Sequence, residues 1–286
     1  MFPSQFEYHR ASSVAEAVKL LSENPDAKLI AGGHSLLPAM KLRLAAPSAL
    51  VDIGRVGGLN GIKRNGGLVI GAMATYNQIA DSADVKAVCP VLAEAASHIG
   101  DPQVRTRGTI GGSLAHSDPA ADLTAVFLAL GGSVKVVGSG GERTIAADDL
   151  FVDLLTTSLN PDEIITEVRI PAASGKTGAA YEKHEHPASG YAVVGVAAVV
   201  SLDGSGNVAS ARLTVTGCTS KATRLSGAET ALAGKPLNDD SIAAAAGAAG
   251  QGLEINGDHY ASADYRRHLV GVLTRRALER AAASAK

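Results

Sequence analysis

The sequence predicts an α/β chain of at least two lobes, and three observations carry that reading. Helical and strand-like periodicities alternate from the start, running helix, strand, loop, helix, strand before residue 55. Two glycine pairs, Gly32-Gly33 and Gly111-Gly112, are each followed by a hydroxyl residue or lead into one within two positions. At 286 residues, with 46% hydrophobic and 19% charged residues, the chain is long and apolar enough to bury a substantial core. Aromatic residues make up only 3%, with no Trp, so that core must be Ala, Val, Leu and Ile fitted closely around 32 glycines.

Taken in order, Ser13-Val14-Ala15-Glu16 fits a capping box, and Val14, Ala17, Val18 and Leu21 recur at helical spacing until Asn24-Pro25-Asp26. Residues 28–31 form a short buried strand. The glycine pair turns the chain, residues 36–44 allow a brief helix, and residues 50–53 return as a strand. Gly54 to Gly61 connects to a second unit that opens with the strand 67–72. Thr75 with Gln78 caps a helix, and residues 90–98 form a clearer one ended by Gly100. The polar segment 101–107 leads into the second glycine loop. The apolar run 123–130, flanked by Pro119, Asp118, Asp122 and Gly131, is a buried helix. Residues 133–137 and 142–145 make a hairpin, and 164–170 alternate as a strand with one face buried. The small, proline-led stretch 171–178 is the best boundary. Beyond it lie strands at 192–202 and 208–215, Ala-rich helices around 226–232 and 241–253, and a long helix from Ser262 to about Ala283. On that helix Leu269, Val270, Leu273, Ala277 and Leu278 share one side, while Arg266, Arg267, Arg275, Arg276 and Arg280 form a basic, solvated face.

The glycine loops carry the chemistry. Each reads as a short apolar strand ending in paired glycines, whose backbone can approach a ligand closely and converge its N–H groups on a diphosphate, with a hydroxyl as a further donor. Either loop alone is equally an ordinary strand-to-helix turn. Two together imply one long ligand held twice. Other motifs fall away: Ser174-Gly175-Lys176-Thr177 lacks the leading glycine of a P-loop because Ile170 stands there, and Gly138-Ser139-Gly140-Gly141 sits in a hairpin. Ala115 breaks a nucleophile elbow at Ser113. His184-Glu185-His186 offers two ligands on one strand face without a third, and reads as a polar exposed loop. His34 and His116 flank the loops and suit hydrogen bonding to a ligand.

A net charge of −2 gives no reason to expect nucleic acid. Cys89 and Cys218 are far apart and belong to no Cys-x-x-Cys, so neither a disulfide scaffold nor a metal cluster is indicated. No signal peptide and no stretch of membrane-spanning length is apparent, which points to a cytoplasmic protein.

Ala31-Gly32-Gly33-His34-Ser35 and Thr109-Ile110-Gly111-Gly112, in this order and separation, resemble the two flavin signatures of the FAD-binding medium subunit of molybdenum hydroxylases. The likeness is greatest to the type found in aerobic carbon monoxide dehydrogenases. It extends from Phe6-Glu7-Tyr8-His9-Arg10 through Asp101-Pro102-Gln103-Val104-Arg105 to Tyr265-Arg266-Arg267. The resemblance implies a two-subdomain FAD-binding domain of the vanillyl-alcohol-oxidase type, over 1–55 and 56–172, followed by a C-terminal α+β domain over 178–286. FAD, held noncovalently, would lie between them.

By the same resemblance, Leu29, Ile30, Ala31, Gly32, Gly33, His34, Ser35 and Leu36 would hold the diphosphate from one side. Gly108, Thr109, Ile110, Gly111, Gly112 and Ser113 would hold it from the other, with Asp118 and Asp122 near the adenosine end or the loop. Ile99 and Ile165 match cofactor contacts, Lys183 a lysine that stabilises the reduced, anionic ring, and Tyr191 a tyrosine stacked over the isoalloxazine. Ser113 replaces the Asn common in the family, a shorter hydrogen-bonding side chain. The implied role is electron transfer. A large molybdopterin subunit would oxidise substrate, a small subunit with two [2Fe–2S] clusters would relay electrons to the flavin, and the whole would form a dimer of heterotrimers. The complex would be cytoplasmic, reaching the inner face of the membrane through its partners. A self-sufficient flavin oxidoreductase and a nucleotide-binding module without redox role are the alternatives.

Overall fold

The structure is a computed structural model that describes residues 1–285. It begins with β1 (Glu7–Arg10), α1 (Val14–Glu23), β2 (Lys28–Ile30), α2 (Leu36–Lys41) and β3 (Ala49–Asp52), and the three strands form a parallel sheet ordered β1-β3-β2. Ser13 caps α1 by accepting from the Glu16 N–H. The expected reciprocal bond is displaced by one residue, because the Glu16 carboxylate takes the N–H and hydroxyl of Ser12 instead. Ala17, Val18 and Leu21 lie buried on one side of α1, in a core with Ala49 and Val51.

The second unit runs β4 (Ile62–Arg64), β5 (Gly67–Gly71), α3 (Tyr76–Asp81), α4 (Ala83–Val88), α5 (Pro90–Ser97), α6 (Pro102–Arg107), α7 (Ile110–His116) and α8 (Asp122–Ala129). It continues through β6 (Ser133–Gly138), β7 (Gly141–Ala146), α9 (Ala147–Leu150), the small hairpin β8 (Phe151–Asp153) and β9 (Thr156–Thr157), and β10 (Ile164–Pro171). Its sheet is antiparallel with order β4-β5-β10-β6-β7, so the last strand closes the centre. The alternation expected over 164–170 holds only in the second half. A bulge between Ile165 and Glu167 breaks the register, and Ile164, Ile165 and Thr166 are all buried before Val168 and Ile170 resume the pattern.

The third unit holds β11 (Lys176–Glu185), β12 (Ala192–Leu202), β13 (Val208–Thr216) and β14 (Thr223–Arg224), an antiparallel sheet in that order, covered by α10 (Ser226–Leu232), α11 (Asp239–Ala248) and α12 (Ala263–Ser284). β11 has no counterpart among the strands expected from the sequence, because its small and polar residues carry little β signal. His184 and Glu185 end this strand instead of lying in a loop. α12 comes so close to β11 that a Cβ on Gly178 would lie 1.8 Å from the Ala281 carbonyl oxygen. Two arginines of the expected basic face are structural. Arg266 is buried and donates to the Val193 and Gly217 carbonyls and to Asp258, while Arg280 joins Glu94 on α5 to Glu182 on β11.

α8 locks the second and third units together. All eight of its residues are buried, because it lies between the second unit's helices and the back of β12 and β13. Burying each large apolar side chain there contributes about 1.5–3 kcal/mol. Thr214 donates to the Ala125 carbonyl at 2.8 Å, and Arg212 at the helix C-terminus donates to the Leu128 carbonyl and pairs with Asp148. Tyr181 and Ala197 of the third sheet belong to the same hydrophobic core as Leu123 and Phe127.

Candidate functional site

The first glycine loop follows β2. Gly33 takes φ +76°, a conformation that side chains disfavour, so the turn into α2 requires glycine. The N–H groups of Gly33, His34, Ser35 and Leu36 meet no acceptor among the described residues, and Ser35 makes no cap bond with its side chain. Four donors and a hydroxyl are therefore left for a ligand, as an anion cradle needs.

The second loop differs from its reading. No strand precedes it. Asp101, with Pro102 behind it, starts the short helix α6 by accepting from Val104 N–H, and α6 ends at Gly108. Thr109 then caps α7, so Gly111 and Gly112 lie in that helix's first turn. Its amides are committed: Ile110 N–H donates to the Ala74 carbonyl, Gly111 N–H to Ala72, Gly112 N–H to the Thr109 hydroxyl and Ser113 N–H to the Thr109 carbonyl. The glycines serve close approach of protein to protein. A Cβ on Gly111 would lie 2.6 Å from that of Ala72, and one on Gly108 would lie 2.3 Å from the Tyr76 ring. The two loops nevertheless meet, since a Cβ on Gly32 would fall 2.1 Å from the Arg107 carbonyl oxygen.

Where they meet, a cleft opens between the first and second units and the β11–β12 turn. It is open to solvent on one side. It is lined by His34 and Ser35 of the first loop, by Ser113, His116 and Asp118, by Ile99, Gly100 and Val104, and by Ser189, Gly190 and Tyr191 of the β11–β12 turn. Arg105 holds the Ile99-Gly100 turn through both carbonyls at 3.1 and 3.2 Å. Tyr191 is 47% exposed, an aromatic ring at the cleft with no core role, and its turn is fixed by the His186 N–H donating to its carbonyl at 2.7 Å.

At the base of the cleft Asp122, the first residue of α8, is buried and bonded twice. Lys183 Nζ lies 3.0 Å from Asp122 Oδ2 and the Tyr181 hydroxyl 2.5 Å from Oδ1; Lys183 also donates to the His98 carbonyl at 3.2 Å. Burial pushes the Asp122 carboxyl up, while Lys183 and the Tyr181 hydroxyl pull the other way. The Tyr181 phenol is raised well above its ordinary range by burial and by the neighbouring Asp122 charge. Burial pushes the Tyr76 phenol up to about 12, against the opposing Ser113 hydroxyl.

Of the residues singled out in the sequence, His34, Ser35, Ile99, Ser113, His116, Asp118, Asp122 and Tyr191 line one cleft. Leu29, Ile30, Ala31, Gly32, Gly33 and Leu36 form the strand and turn of the first loop. Gly108, Thr109, Ile110, Gly111 and Gly112 pack behind the wall, Ile110 and Gly111 fully buried. Ile165 is buried in β10 and does not line the cleft, and Lys183 stands behind Asp122. Asp122 is set apart from Asp118 by its bonds to Lys183 and Tyr181, so it belongs to the Lys183 end. The reading missed Tyr76, Gly100 and Val104 as lining residues. The Asp101-Pro102 start of α6 was the available signal for the last two. Among the described residues no cluster of His, Cys, Asp and Glu could hold a metal ion, and no helix is long and apolar enough to cross a membrane.

A row of free amides beside a hydroxyl, an apolar slot and an exposed tyrosine ring suit an elongated ligand with a diphosphate in its middle and a flat ring at one end, as in FAD. The comparisons with known proteins agree. Residues 4–173 match the family "FAD binding domain in molybdopterin dehydrogenase", and residues 179–281 match "CO dehydrogenase flavoprotein C-terminal domain". The chain is 43% identical to the carbon monoxide dehydrogenase medium chain of Hydrogenophaga pseudoflava, over 98% of each. It is 41% identical to the 6-hydroxypseudooxynicotine dehydrogenase complex subunit alpha of Paenarthrobacter nicotinovorans, over 98% of this chain and 96% of that one. A solved carbon monoxide dehydrogenase structure from Hydrogenophaga pseudoflava superposes with a TM-score of 0.96 over 100% of both chains.

The chain thus belongs to the FAD-binding flavoprotein subunits of the molybdenum hydroxylases. Within that class it is of the carbon monoxide dehydrogenase medium-chain type, an FAD-dependent oxidoreductase subunit that transfers electrons. Relatives of this kind work within multi-subunit complexes.

Proposed function

We propose that the cleft is the FAD site and that this chain receives electrons there from [2Fe–2S] clusters of a small partner subunit, in a complex whose large subunit carries molybdopterin. The observation that supports the site most directly is the set of donors at Gly33, His34, Ser35 and Leu36 that meet no protein acceptor. FAD, when bound, accepts electrons singly and releases them singly or in pairs. The chain's own residues position and exclude. The first loop holds the diphosphate through backbone amides and the Ser35 hydroxyl, and Ser113 reaches it from the opposite wall. Ile99 and Val104 keep water from the slot. Tyr191 covers the ring, and Lys183 places a cation at its end. The reading assigns 1–55 and 56–172 to the FAD-binding domain and 178–286 to the domain that closes the cleft.

The assembly follows as a dimer of heterotrimers, each with one copy of this chain. Relatives of nearly equal identity are named for carbon monoxide and for 6-hydroxypseudooxynicotine. The substrate therefore belongs to the large subunit and not to this cleft.

The test is spectroscopic. The purified chain is expected to show a flavin absorbance whose released cofactor is FAD, and to be reduced by a reduced [2Fe–2S] partner but not by substrate alone. Turnover of substrate by the isolated chain would show a self-sufficient oxidoreductase, and binding of ADP or ATP without flavin would show a nucleotide module.

A further inference from the structure

The buried triad at the base of the cleft is more than a weld between units. Tyr181 and Lys183 are alternate residues of β11 that share one side of the strand, so both reach Asp122 on α8. The arrangement is built around the tyrosine. A Cβ on Gly195, one strand over, would lie 2.3 Å from the Tyr181 hydroxyl, so glycine at 195 leaves the space in which that hydroxyl sits. Lys183 and Asp122 side chains are 4% and 5% exposed, which leaves each charge little but the other to compensate it.

We infer that Tyr181 is a positioning residue for electron transfer: by donating to Asp122, the member of the buried pair that lines the cleft, it sets how the charges of Asp122 and Lys183 are presented to the reduced ring. This rests on the cleft being the FAD site. Burial alone favours the neutral carboxyl, and the Tyr181 hydroxyl is one of two groups that oppose it. Without that hydroxyl a larger fraction of Asp122 is protonated, Lys183 loses its counter-charge, and the anionic reduced ring is held more tightly relative to the oxidised one. A purely structural triad would weaken both redox forms alike.

The experiment measures dissociation constants of oxidised and of reduced FAD for the full chain, in wild type and in Tyr181→Phe, Asp122→Asn and Lys183→Met. Tyr181→Phe is expected to raise the preference for reduced over oxidised FAD about threefold, within the range of one ordinary hydrogen bond. Asp122→Asn keeps the size of the side chain and one acceptor but removes its charge, and is expected to raise the preference about tenfold, equal to about 30 mV for a two-electron couple. Lys183→Met should lower the preference. Equal affinity changes for both redox forms in Tyr181→Phe and Asp122→Asn would overturn the inference and leave the triad structural. Should either variant fail to fold, the other decides. Failure of wild type to bind FAD at all would overturn the site itself, an outcome visible before any variant is compared.

Discussion

Tyr191 separates two kinds of evidence at the scale of single residues. Sequence position marks it as a flavin contact only through family likeness, because one tyrosine in a turn has no periodicity to read. The fold adds that its ring stands at the cleft, exposed, with its carbonyl fixed by His186. Tyr191→Ala is expected to weaken FAD binding about tenfold, the size of one aromatic stacking contact, while Tyr191→Phe keeps it; flavin fluorescence titration reads the difference. Glycines tell the opposite story. Gly32, Gly33, Gly111 and Gly112 were legible as a motif, yet what makes three of them necessary is protein geometry. Gly33 has positive φ, Gly32 abuts the Arg107 carbonyl and Gly111 abuts Ala72. Gly33→Ala should therefore lower unfolding stability by about 1–2 kcal/mol even in apoprotein, from the left-handed backbone alone. A denaturant midpoint without FAD checks this.

Elements whose residues bury one face were legible, and those set by packing partners were not. α1, α5 and α8 follow from apolar spacing and end signals, and the 133–145 hairpin from its Gly-rich turn. β11 escaped because Gly178, Ala179 and Ala180 carry almost no β preference; the strand exists because β12 and α12 need a neighbour there. Gly178→Val is accordingly expected to cost about 3 kcal/mol by pushing α12 off the sheet, read as a lowered urea midpoint with the slope unchanged. The sheet of the second unit carries a pH-dependent clamp. Arg143 donates to both oxygens of Glu163, and this bond holds the Glu163 carboxyl below its ordinary value. A folded-state value below the unfolded one adds stability above the ordinary glutamate range, lost as pH falls through the folded value. Glu163→Gln should therefore reduce neutral-pH stability and flatten its decline between about pH 5 and pH 3, seen in thermal melts across that range.

The whole molecule places the cleft where three bodies meet. The first unit lends the amides of its turn, the second lends the wall from α6 to α8, and the third lends Tyr191 and, behind Asp122, Lys183. This is why Asp122 was hard to place from sequence, where it stands four residues from Asp118 and reads as its companion. In space its partners are 59 and 61 residues away. The same geometry ties the site to stability, because Lys183 and Asp122 also join the third unit to the second. Lys183→Met is expected to lower the melting temperature of apoprotein as well as to shift the flavin, since removing one partner leaves the buried Asp122 uncompensated.

The central claim is that free amides of the first loop hold the diphosphate of FAD. The measurement that tests it most directly is calorimetric titration of the apoprotein with FAD and with riboflavin, which has the ring without the diphosphate. The account predicts one FAD per chain, bound at least about a hundredfold more tightly than riboflavin, as several charge-assisted hydrogen bonds require. Equal affinities for the two, or no binding of FAD, would contradict it.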